Sequence, residues 1–150
     1  MPQVKAASVV GGPERLRRSH RFPADKLDSM LTAAVNATLD IVAGGRAARL
    51  RITNDRVGHY LPSGGNWLSV RLTARDSSGR PLKEQAEAIG RDEALVLDFP
   101  PFNPDTRIPF GGQRDVMLRL PDGHGTVEAV VRYHDWMRVR RTVLTLREEY

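Results

Sequence analysis

From residue 35 onward, apolar side chains recur at every second position. Val35, Ala37, Leu39 and Ile41 alternate with Asn36, Thr38 and Asp40, which is the signature of a strand with one buried face. Gly44-Gly45 supplies a turn. Ala48, Leu50 and Ile52 then alternate with Arg49, Arg51 and Thr53, so a second strand pairs with the first as a hairpin. A long loop over 54–66 leads to a third strand over 67–75, with Leu68, Val70, Leu72 and Ala74 on one side. Asp76-Ser77-Ser78-Gly79 reads as a hairpin turn, and 82–89 as the returning strand. A short apolar strand is expected over 94–99. The run Pro100-Pro101-Phe102-Asn103-Pro104 cannot sit in a central strand, and 100–109 reads as a long inter-sheet connection. Val116, Leu118 and Leu120, the turn at 121–125, and Val127, Ala129, Val131 and Tyr133 give another pair. The segment 139–146 fits either a strand or a helix.

The start of the chain follows a different pattern. Residues 1–22 show no period and read as an irregular N-terminal arm. Pro23 suits the first turn of a helix, and Leu27, Met30, Leu31 and Ala34 share one face of a helix over 24–34. Seven or eight short strands with regular turn signals predict an all-β fold. The expectation is an immunoglobulin-like antiparallel β-sandwich over 23–150, preceded by the arm 1–22 and carrying one short helix.

Composition narrows the chemistry. There is no cysteine, so the chain itself can hold no disulfide, no thiolate metal site and no covalently attached haem. No run approaches the roughly 18 apolar residues of a membrane-spanning helix, and residues 1–12 are too weakly apolar for a signal peptide. The net charge of +5 comes mostly from arginines at alternate strand positions, such as Arg49, Arg51, Arg71 and Arg75. That spacing describes the solvated face of a sheet, not a nucleic-acid stripe.

Candidate active sites fail on local geometry. Ser63-Gly64-Gly65-Asn66 is followed by a strand, whereas a phosphate cradle needs a helix N-terminus; Ser63 is also outside any hydrolase elbow. His134 and Asp135 are strand neighbours that point to opposite faces, and His134 is expected to be a solvent-exposed strand-end residue. His124 lies within a hairpin turn. Asp92, Glu93, Asp98, Asp105 and Asp115 lack the regular spacing of a calcium loop. No nucleophile–base pair or paired carboxylates stand out, so the chain is expected not to be an enzyme and to hold no metal of its own. His20 and His59 remain, both in loops, and imidazole is a good iron ligand.

Around these two histidines the chain resembles a known family. Thr53-Asn54 followed by Gly58-His59-Tyr60-Leu61-Pro62-Ser63-Gly64 resembles the TN…GHxLP[TS]G signature in the non-haem C-terminal domain of bacterial multihaem cytochromes c. Ser19-His20-Arg21-Phe22-Pro23 is similar to that family's SHxF element; Thr106-Arg107-Ile108-Pro109 and Tyr133 also fit. Met1-Pro2 matches the residues that follow a CxxCH haem motif in such proteins, as though the chain began just after one. The resemblance covers about residues 1–135 in outline, and the haem-binding part itself is missing.

The resemblance implies an accessory, non-catalytic domain of an electron-transfer protein in the periplasm or outside the cell. It would pack against a c-type haem region on an adjoining segment or a partner chain. His20, and after it His59, would be candidates for an axial haem ligand, with Arg18 and Arg21 facing haem propionates. Gly58, Leu61, Pro62 and Gly64 would shape the loop. From the residues themselves, Leu61 is apolar and Pro62 restrains the backbone on both sides, so loop 54–66 is expected to be ordered, with Leu61 buried between the sheets or beneath the arm. The rival from another class is an independent β-sandwich module that binds a polysaccharide, a cell-wall ligand or a surface protein. Aromatics exposed on one sheet face, Trp67 or Trp136, would favour it.

Overall fold

The computed structural model describes residues 3–7, 14–18, 27–91, 105–135 and 140–150, with side chains from residue 29 onward. Its elements are β1 (Gln3–Ala7), β2 (Glu14–Arg18), α1 (Leu27–Ala34), β3 (Asn36–Val42), β4 (Ala47–Thr53), β5 (Trp67–Asp76), β6 (Pro81–Gly90), β7 (Gln113–Arg119), β8 (Gly125–His134) and β9 (Arg140–Glu149). Three antiparallel sheets form, in the orders β1-β2, β3-β4-β7 and β6-β5-β8-β9.

The last two sheets make the sandwich. β3 lies by β9 and β7 by β6, so the sheets face each other with their edges in step. The chain changes sheet after β4, β6 and β7 and makes hairpins at β3-β4, β5-β6 and β8-β9. This is immunoglobulin-like connectivity, with β6 attached to the second sheet. The alternation read from the sequence supplies the core. Leu50 and Ile52 from β4, Leu68, Val70 and Leu72 from β5, Val116 and Leu118 from β7, and Val127 and Val131 from β8 are all essentially inaccessible to water. Between them, on the outer faces, the arginines pair with acids. Arg51 makes two 2.8 Å hydrogen bonds to Asp115, and Arg49 reaches Asp40 at 3.1 Å.

Two expectations change, one open choice is resolved, and one expectation is not reached. The arm carries a hairpin, β1-β2, with Val4 opposite Arg17 and Ala6 opposite Arg15; it is not irregular over its whole length. Residues 140–149 are a strand, and the pattern was ambiguous because a bulge falls between Val131 and Arg132 of the partner register. The bulge leaves Val143 as an extra residue, buried beside Leu144, which breaks the period of two. His134 is buried at 5% exposure, not exposed at a strand end. The strand expected over 94–99 and most of the 100–109 connection lie outside the described residues.

β6 is an edge strand, paired only with β5 among the described residues. Register places Lys83, Gln85 and Glu87 opposite the core residues Ala74, Leu72 and Val70, so these polar side chains share the inward side of the sheet. Glu87 is held there by Arg114 of the other sheet.

Candidate functional site

Strand direction gives the sandwich two unlike ends. At one end lie the tight turns at 43–46, 77–80 and 121–124. At the other, β4 leads into loop 54–66, β5 begins at Trp67, residues 105–112 lead into β7, and β8 ends at His134. The residues of the Gly-His-x-Leu-Pro segment therefore gather at this loop end.

Asn54 organises it. The residue is wholly buried, and its Nδ2 donates both hydrogens, to the His59 carbonyl at 2.7 Å and the Ile108 carbonyl at 2.9 Å. Its backbone N–H donates to Gly112 O at 3.0 Å, and its carbonyl accepts from Gly111 N at 2.7 Å. One side chain thus ties together two loops that are distant in sequence. Leu61 and Ile108 add a two-way backbone bridge, each bond 2.8 Å. Leu61 is buried and Pro62 follows it into the interior. Gly64 has φ +59, in the left-handed region that glycine favours. Gly58 has no positive φ, and a Cβ added to it would meet nothing within 4 Å.

These contacts present side chains outward. His59 is exposed, and its Nδ1 lies 2.9 Å from the Tyr60 carbonyl oxygen. A carbonyl only accepts, so Nδ1 is the donor in this contact, and Nε2 is the ring nitrogen that it leaves unengaged. Tyr60 is half exposed, with the Arg107 guanidinium 5.0 Å above its ring. Arg107 also holds Asp105, whose pKa falls to about 2, chiefly through that hydrogen bond. Phe110 is the most exposed large apolar side chain among the described residues, at 64%. The Asn54 bonds to the His59 and Ile108 carbonyls bring the two segments that carry these groups together.

His20, Arg21 and Trp136 lie outside the described residues. Arg18 ends β2, opposite Gln3. Of the weighed carboxylates, Asp105 and Asp115 are each spent on an arginine, and Asp92, Glu93 and Asp98 lie outside the described residues. Among the described residues no three such groups converge to hold a metal, and no helix is long and apolar enough to cross a membrane. His124 sits exposed in its turn.

The pattern of residues gave no sign of two arrangements. One is the Asn54 clamp; Thr53-Asn54 marks it, but a single sequence does not say which carbonyls an asparagine will meet. The other is on the outer face of the four-stranded sheet. There Trp67 stacks on His134 at 3.7 Å with the rings 7° apart, and His134 Nε2 lies 2.8 Å from Ser69 Oγ. Burial, then the nearby Arg140 and Arg132, hold the His134 pKa below its ordinary value. Trp67 is thus partly exposed, at 38%, with one face against the imidazole.

No protein-family model matches the chain, and no curated protein sequence does. Among solved structures, a penta-heme cytochrome c552 from Thermochromatium tepidum superposes with a TM-score of 0.67 at 19% identity, over 95% of this chain and 45% of that one. The target SoR45 aligns with a TM-score of 0.36 at 11% identity, over 76% of this chain and 84% of that one, too low to carry any argument. The chain therefore spans less than half the length of the cytochrome, and at this identity what the two share is the fold. Part of the cytochrome shares its fold with 95% of this chain.

Proposed function

We propose that this chain is a non-catalytic β-sandwich module that packs its loop end against a c-type haem region, on an adjoining segment or a partner chain, in the periplasm or outside the cell. The observation that carries this reading is the fold match over 95% of the chain to part of a penta-heme cytochrome. The loop end supports it. An exposed imidazole whose Nδ1 is engaged by its own loop stands in the same loop cluster as Tyr60, Arg107 and Phe110, a surface that suits a flat, partly apolar macrocycle with acidic edges. His20 and His59 are the candidate axial ligands, with Arg18 and Arg21 for the propionates. Electrons would pass through the haem, which the chain has no cysteine to attach.

A haem c peptide that keeps its proximal histidine and has an open sixth site provides the test. Mixed with the purified chain, it is expected to give the low-spin spectrum of a bis-imidazole haem. His20→Ala or His59→Ala should abolish that spectrum, and whichever does so names the ligand. A high-spin spectrum unchanged by the chain would remove the ligand role. Packing would then rest on whether the chain co-purifies with a haem segment expressed beside it.

A further inference from the structure

The cross-strand register sets out the solvent face of the four-stranded sheet in rows. Ala88, Ser69 and Arg132 stand in one row across β6, β5 and β8; Ala86 and Arg71 stand in the next. The two alanines leave low ground along β6, while the arginines rise beside it. The result is a shallow groove of about 260 Å³ lined by these residues together with Val70 and Glu87, whose carboxylate is engaged by Arg114 on the inward side of the sheet. Ser69 Oγ is fixed at its edge by His134 Nε2, 2.8 Å away.

The charges around this groove are unbalanced. Arg71 and Arg132 are diagonal neighbours on adjacent strands, close enough for long like-charged side chains to repel. Arg71 has only a loose partner, Glu84 at 3.5 Å, with both side chains half exposed. Arg132 is half-buried and makes no ion pair or hydrogen bond among the described residues. Elsewhere on the sheets, arginines such as Arg49, Arg51, Arg114 and Arg147 each sit on a carboxylate. A guanidinium fork favours a planar anion with two oxygens. The volume is below the ~300 Å³ at which drug-sized pockets begin, so the fit is to a small molecule.

We propose that this groove binds a small carboxylate, its oxygens held by Arg132 and Arg71 and its carbon frame resting on Ala86 and Ala88. The site is independent of the haem-packing reading, which uses the loop end. The carboxylate could belong to a free organic acid or to a sugar acid, and the same experiment separates the two.

The purified chain is titrated at low salt with succinate and with D-galacturonate, and with succinamide and galactose as their neutral counterparts, by amide NMR. At least one acid should bind saturably in the millimolar range, with shifts concentrated at Ser69, Ala86, Ala88 and Arg132. Binding of succinate alone identifies a free acid, and binding of galacturonate alone a sugar acid. Arg132→Gln should weaken it about tenfold or more, the scale of one charge-assisted hydrogen bond. Ala88→Leu, which fills the trough and leaves the charges in place, should do the same. The proposal is overturned if neither acid saturates, if the neutral counterparts bind equally well, or if Arg132→Gln binds like the parent chain while keeping its β-sheet spectrum.

Discussion

The two ends of the sandwich are built in different ways. The turn end closes largely through neighbours in sequence, with longer-range backbone pairs between Gly125 and Tyr150 and from Leu120 N to Arg46 O. Asp76 Oδ1 accepts hydrogen bonds from Ser78 N, Ser78 Oγ and Arg80 N at 3.0, 2.6 and 2.9 Å, and glycines at 44, 45, 79 and 123 take up positive φ. The loop end closes through residues far apart in the chain: Asn54 to Ile108, and Leu61 to Ile108. The tight turns themselves are therefore local and replaceable. The loop end is a single tertiary unit whose exposed groups depend on buried ones, and functional side chains are usually carried on loops positioned in this way.

Asn54→Ala should break that contrast most severely. It takes the donor from the part-buried His59 carbonyl and one of the two donors from Ile108 O, which keeps Leu61 N, and it leaves a gap at a wholly buried site, so a loss of about 2–4 kcal/mol is expected in urea unfolding. A loss below about 1 kcal/mol would mean the loops are held by other contacts. Leu61→Ala follows, at roughly 2–4 kcal/mol, because it empties a packed site; a loss under half a kcal/mol would contradict its burial.

A smaller effect should appear with pH. His134 has a folded pKa below its ordinary value, so the unfolded chain binds its proton more readily. Its contribution is complete above the unfolded value, near about 6.5, and is lost as pH falls through the folded value. Between pH 7 and 5 the parent chain should lose midpoint stability faster than His134→Gln; parallel curves would show that the imidazole stays uncharged or solvated in both states. The smallest pair concerns the loop glycines. Gly64→Ala should cost about 1 kcal/mol for its left-handed backbone, whereas Gly58→Ala should stay within about half a kcal/mol. Equal losses would show that Gly58 has a backbone need its φ does not reveal.

Periodicity made the sandwich legible because each sheet has one wet face, and a period of two survives wherever no bulge intervenes. It failed at β9, where Val143 adds one residue, and at the arm, where Val4 and Arg17 pair without an apolar alternation to announce them. Leu61 could be placed inside from its own chemistry. Asn54 and the Trp67–His134 pair could not. Their roles depend on which strands and loops become neighbours, and this comes from the topology, not from any local run of residues. The exposure expected of His134 failed for that reason: Trp67 and Ser69, which cover and bond it, arrive from another strand.

The inward-facing polar side chains of β6 also affect how the molecule behaves in a crowd. An edge strand ten residues long offers a row of backbone donors and acceptors to any other extended chain. With Glu87 tethered across to Arg114 and Lys83 on the same side, a strand added there would have to extend the core past fixed charges. Polymerisation into a continuous sheet is therefore opposed at this edge of the fold.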